Sequence, residues 1–145
     1  MLKIDKKILR LIDANLNRAK EGLRVCEDLA RFTLNARALT EDLKKIRHGV
    51  FVAIKVLAPD LSVILESRDI RQDVGKMTTR AELSRRDLED IFFANIQRSK
   101  EAMRVLEETS KLYNQKASRQ FKILRYKIYD LEKRFALLHF GPRHT

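Results

Sequence analysis

The sequence predicts an all-α protein: a four-helix bundle of two duplicated helical hairpins, pseudo-twofold in arrangement and joined by an irregular connector loop. Three observations carry that expectation. Apolar residues recur at three- and four-residue spacing over most of the 145 residues, the mark of amphipathic helices. No segment sustains the alternation of a half-buried strand. Residues 15–32 (NLNRAKEGLRVCEDLARF) return eighty positions later as residues 95–112 (NIQRSKEAMRVLEETSKL).

Helix one is expected from about Lys3 to Leu34, with Gly22 its weak point. Thr40, followed by Glu41 and Asp42, reads as an N-cap, and the helix it opens ends at Leu57 because Pro59 disfavours helical geometry at Ala58. Residues 61–66 read as one further turn, and 67–79 (SRDIRQDVGKMTT) as an ordered or ligand-ordered loop. Ser84 with Asp87 resembles a capping box, so helix three runs from there to Tyr113-Asn114. Helix four spans about Ala117 to His139 and stops at Gly141-Pro142. The expectation is one domain over 1–145, with hairpin one about 3–57, the connector about 58–84 and hairpin two about 85–139.

The duplication keeps particular residues. Asn15/Asn95, Arg18/Arg98, Lys20/Lys100, Glu21/Glu101, Arg24/Arg104, Val25/Val105 and Glu27/Glu107 are identical, and Leu43–His48 matches Phe121–Tyr126 downstream. An eighty-residue period with two copies fits a symmetric bundle better than a solenoid.

Lys and Arg number 31 against 20 Asp and Glu, a formal charge of +11 that points to an anionic partner without naming one. The four glycines, Gly22, Gly49, Gly75 and Gly141, are too scattered for a glycine-rich phosphate loop. A single cysteine, Cys26, excludes an intrachain disulfide and a CxxC zinc site, which makes the cytoplasm the expected compartment. No stretch approaches the roughly 18 uncharged apolar residues of a membrane span.

The apolar seam of helix one reads Ile8, Leu11, Asn15, Arg18, Gly22, Val25, Leu29, Phe32; that of helix three reads Leu88, Ile91, Asn95, Arg98, Ala102, Val105, Thr109, Leu112. An arginine in a seam needs an anion. Glu21 and Glu101 would supply one internally, in a satisfied structural network. Alternatively the two polar islands line a shared cleft, with Gly22 and Ala102 leaving room for a ligand and Arg47 and Arg125 adding two cationic forks. Four converging arginines suit phosphate oxygens, which guanidinium binds bidentately.

Glu27-Asp28 and Glu107-Glu108 read as outward-facing acids paired with Arg24, Arg31, Arg104 and Lys111. In the connector, Arg68, Asp69, Arg71, Asp73 and Gly75 combine spaced acids, cations and a permissive backbone, suited to magnesium and to closing over phosphates. An ordinary solvated connector is the alternative. His48 reads as a packed or surface histidine, Tyr126 and Tyr129 as partly buried, and Cys26 as a small core residue.

The strings DANLNRAKEGLRVCEDLARF (13–32), RDIRQDVG (68–75), ANIQRSKEAMRVLEE (94–108) and FKILRYKIYDLEK (121–133) resemble a small helical domain of thiamine biosynthesis. That domain occurs alone or fused ahead of thiamine-phosphate synthase. The resemblance implies a monofunctional hydroxymethylpyrimidine-phosphate kinase, using ATP and Mg2+ to make the pyrimidine diphosphate. It names the phosphorylated pyrimidine and ATP as ligands, with thiamine-phosphate synthase and a second copy of the chain as candidate partners. On this reading Arg18 and Arg98, with Arg47 and Arg125, hold substrate and ATP phosphates. Asn15 and Asn95 orient them, Glu21 and Glu101 support, Arg68 and Gly75 serve the loop, and Asp69 and Asp73 bind magnesium. A basic binding or regulatory module is the alternative. Acids interleaved with the cations argue against a nucleic-acid binder.

Overall fold

Asp5 sets the first helix boundary. Its carboxylate accepts from the Lys7 amide at 2.8 Å, and α1 runs Lys6–Asp28 before widening into a π-helical turn over Leu29–Thr33. The structure, a computed structural model, describes residues 3–141. Next come α2 (Arg37–Leu57), α3 (Leu61–Glu66), α4 (Arg80–Leu83), α5 (Leu88–Ser110) and α6 (Gln115–His139), with no strand among the described residues. Side chains cap four of these starts. Asp60 accepts from the Ser62 amide, Thr79 from Glu82, Asp87 from Asp90 and Asn114 from Ala117, each satisfying a donor with no partner in the first turn.

Two expected caps are corrected. Thr40 lies inside α2, which starts at Arg37, and its hydroxyl donates back to the Ala36 carbonyl at 2.7 Å. Ser84 closes α4, and Asp87 alone caps α5. The expected stop at Gly141-Pro142 lies partly outside the described residues; α6 ends at His139, and Gly141 takes φ 65°.

The four long helices pack in a ring, α1 on α2, α2 on α6, α6 on α5 and α5 on α1, while α3 lies on α1. The buried stripe keeps Asn15, Gly22, Leu29 and Ala102 of the seam read in the sequence and is otherwise turned from it by one residue. In α1 it carries Leu9, Ile12, Ala19 and Cys26, and in α5 Phe92, Ile96, Ser99, Met103 and Leu106. Leu11 and Phe32 are exposed instead, as are Arg18 and Arg98. One residue is about 100° on a helix, enough to move an arginine from the core to the surface.

Small residues occupy the α1–α5 crossing. Ser99 donates to the Ala19 carbonyl at 3.3 Å, a pair eighty positions apart in the repeat. A Cβ on Gly22 would stand 2.7 Å from the Asn95 carbonyl oxygen. The missing side chain is therefore filled by the α5 backbone and makes no room for a ligand, which corrects the expectation for Gly22; Ala102 is likewise buried.

The repeat is visible in polar geometry as well. Asn15 donates to the Leu11 carbonyl at 3.0 Å and Asn95 to Ile91 at 2.8 Å, each four residues back. Arg47 reaches Glu27 at 2.9 Å and Arg125 reaches Glu107 at 3.0 Å, across sequence separations of 20 and 18. The longer separation spans the π-helical turn and Asn35, whose φ of 50° is one that asparagine tolerates.

Candidate functional site

Asp13 is where the connector meets the bundle. It sits on α1 at 5% exposure, and its two oxygens accept from Arg68 Nε and Nη2 at 2.8 Å each. Asn17, one turn on, donates to the Asp13 carbonyl at 3.0 Å. Arg10 donates to the Asp69 carbonyl at 2.9 Å, so two α1 residues fix the start of the loop. The hydrogen bonds and charge of Asp13 raise the Arg68 pKa above its ordinary value, with Glu21 contributing. Within the loop, Asp69 accepts from the Gln72 amide at 3.1 Å and Asp73 from the Gly75 amide at 2.9 Å. Those turns order a segment that has no helical periodicity of its own.

The result is a cleft of about 570 Å³ between α1 and the connector, a size typical of small-molecule sites. Of the residues singled out in the sequence, Asn15, Arg18, Glu21, Arg68, Asp69 and Asp73 line it, although they come from segments some fifty residues apart. Lys7, Arg10, Asp13 and Asn17 line it too, and the sequence reading passed over them. The signal for Asp13 was available: it is an acid next to the buried Ile12, with an asparagine four residues later.

The other expected residues lie elsewhere. Asn95, Arg98 and Glu101 belong to α5, none of whose residues lines the cleft, and Gly75 sits in the exposed part of the loop. Arg47 and Arg125 do not converge with Arg18. Each is held by a buried glutamate, and Arg24 and Arg104 approach the same glutamates at 3.1 and 3.7 Å. Glu27 and Glu107, read as outward acids, are thus buried at 3% and 4% exposure, whereas Asp28 and Glu108 are exposed. Glu21 and Glu101 are not the partners of the seam arginines: the Arg18 and Arg98 side chains form no ion pair or hydrogen bond among the described residues. Tyr126 and Tyr129 are exposed rather than partly buried, and Cys26 is fully enclosed.

Chemically the cleft is mixed. Arg68 is neutralised by Asp13, leaving Lys7, Arg10 and Arg18 to face Glu21, Asp69 and Asp73. Cations of this kind take phosphate oxygens, and the acids take a positively charged group or a metal. Among the described residues no three His, Cys, Asp or Glu side chains gather as a metal cage. Asp69 and Asp73 each commit one carboxylate oxygen to a loop amide and keep the other, which fits a magnesium ion bound by one or two carboxylates and substrate phosphates. No helix among the described residues is long and apolar enough to cross a membrane.

Comparison with known proteins agrees with the blocks that carry the resemblance. A thiamine-phosphate synthase from a Synechocystis species is 42% identical over 127 residues, covering 86% of this chain and 35% of that protein. One from Rhodopirellula baltica is 39% identical over 143 residues, 95% of this chain and 38% of its own length. One from Nostoc punctiforme is 38% identical over 130 residues, again 35% of the longer protein. The chain thus spans about a third of the length of these relatives. No solved structure matches it. The model of the ThiD2 family matches residues 10–134, from the arginine that anchors the connector to the last arginine of α6, and the chain belongs to that family.

Proposed function

We propose that this protein acts in thiamine biosynthesis as a phosphotransferase, passing the γ-phosphoryl group of ATP to hydroxymethylpyrimidine phosphate. A phosphate oxygen of the pyrimidine ester attacks the γ-phosphorus, the bond to the ADP oxygen breaks, and pyrimidine diphosphate and ADP leave. The attacking oxygen is already anionic near neutral pH, so the site needs positioning and charge stabilisation rather than a strong base.

The observation that carries the reading is the gathering of Asn15, Arg18, Glu21, Arg68, Asp69 and Asp73 around one cleft. In it Arg18 and Arg10 hold phosphate oxygens, Lys7 adds charge at the mouth, and Asn15 lies beside them on α1. Asp69 and Asp73 would hold magnesium, whose role when bound is to neutralise the phosphate charge. Asp13 acts through Arg68 as a positioning residue.

Names of the relatives support the pathway, since the matched proteins are thiamine-phosphate synthases. Their greater length favours a second reading, in which the chain serves as a regulatory or docking domain for such a synthase. One experiment separates the two. The chain is incubated alone with ATP, Mg2+ and hydroxymethylpyrimidine phosphate, and the diphosphate is sought by chromatography. Its formation, lost in Arg18→Ala, supports the kinase; none at any metal or substrate concentration removes it.

A further inference from the structure

Between α2 and α6 lies a second cavity of about 600 Å³ that shares no lining residue with the cleft. Ile46 forms its floor, and Ile123 and Tyr126 its wall, each 56% exposed. Arg134 closes one end by bridging the helices, 3.0 Å from both Asp42 of α2 and Asp130 of its own helix. Lys45, Lys122 and Lys127 line the rest and form no ion pair among the described residues. The Tyr126 ring is backed edge-on by Tyr129 at 5.7 Å, with the Arg125 guanidinium 5.2 Å and the Lys122 amine 6.0 Å from its centroid.

Burial and ion pairing account for neither half of this arrangement. An exposed isoleucine and tyrosine side by side forgo burial, and three unpaired lysines repel one another. The duplication does not demand it either. Where hairpin two has Ile123, Tyr126 and Lys127, hairpin one has Lys45, His48 and Gly49. A ligand that offers a planar ring to Tyr126 and an anion to the lysines relieves both costs.

We propose that the α2/α6 groove binds a phosphate-bearing aromatic ring of nucleotide type, with the ring on Tyr126 and Ile123 and the phosphate between Lys45, Lys122 and Lys127. This site is separate from the cleft and does not depend on the transfer reaction.

The test is a titration of isotope-labelled chain with adenosine monophosphate, read by the ring resonances of Tyr126 and the amide of Lys127. Saturating shifts are expected, retained in Arg18→Ala and weakened about tenfold or more in Lys122→Glu/Lys127→Glu. Adenosine alone and inorganic phosphate alone should each bind at least about tenfold more weakly than the monophosphate. Circular dichroism checks the fold, with Lys45→Glu as a second charge reversal if the double variant unfolds. The proposal is overturned if Tyr126 does not respond, if charge reversal leaves affinity unchanged, if adenosine or phosphate alone matches the monophosphate, or if Arg18→Ala abolishes the shifts.

Discussion

Asp13 and Arg68, fifty-five residues apart, meet in a two-pronged ion pair with both arms at 2.8 Å. The carboxylate is nearly enclosed while the guanidinium reaches the surface, so α1 supplies the fixed half and the loop the movable half. Asp13→Ala should release the connector while leaving the helices formed. Trypsin should then cut after Arg68, Arg71 or Lys76 several-fold faster than in wild type, with unchanged helical circular dichroism. Equal cutting rates would show that the pair does not hold the loop.

Arg18 and Arg98 occupy equivalent places in the repeat, yet only Arg18 lines the cleft. On the proposed kinase activity, Arg18→Ala should cost on the order of 100-fold in kcat/KM, the scale of removing one charge-stabilising donor. Arg98→Ala should cost less than about threefold, since it removes a surface cation outside the cleft. Steady-state kinetics on both variants checks the contrast. Equal losses would return the two arginines to a shared site.

The two buried glutamates should differ in their weight. Arg125 is 8% exposed in its side chain beside Glu107, whereas Arg47 is 25% exposed beside Glu27. Removing Glu107 strands an enclosed guanidinium, so Glu107→Ala should cost about 3–5 kcal/mol in urea denaturation. Glu27→Ala should cost clearly less, because Arg47 can turn toward water.

Burial pushes the Cys26 thiol from 9.0 up to about 12, with the charge of Glu132 adding to the effect. The unfolded chain therefore loses this proton near pH 9 while the folded chain keeps it. The contribution is intact below pH 9 and is lost as pH rises toward 12, at up to about 1.4 kcal/mol per pH unit. Urea denaturation at two pH values inside that window should show a steeper loss in wild type than in Cys26→Ala. In the folded protein at neutral pH, thiol reagents should label Cys26 only at the rate of unfolding.

Helices were legible in the sequence because their periodicity is strong and their ends carry chemistry: Asp87 and Pro59 fall where α5 begins and α2 has ended. The phase of the seam was less so. In α1 both Leu11 and Ile12 are apolar, and small Ala19 sits next to Arg18, so two registers one residue apart were nearly as good on α1 alone. Burial against α5 selects the register that carries Ala19 and Ser99, which only the partner helix reveals. The cleft was legible as residue types, an Asn-Arg-Glu island and an acid-rich loop, but not as a place. What joins them is Asp13, and an isolated acid at a helix edge gives no sign of which distant arginine it will hold.

Position 93, the counterpart of Asp13, is Phe93, whose ring packs 5.2 Å from Phe92 and 6.1 Å from Phe140. One copy of the repeat uses that site to moor a loop, and the other uses it to seal the end of the helices. A protein doubled in sequence thereby carries one moored cleft rather than two, and that cleft should take up one equivalent of each of its ligands per chain.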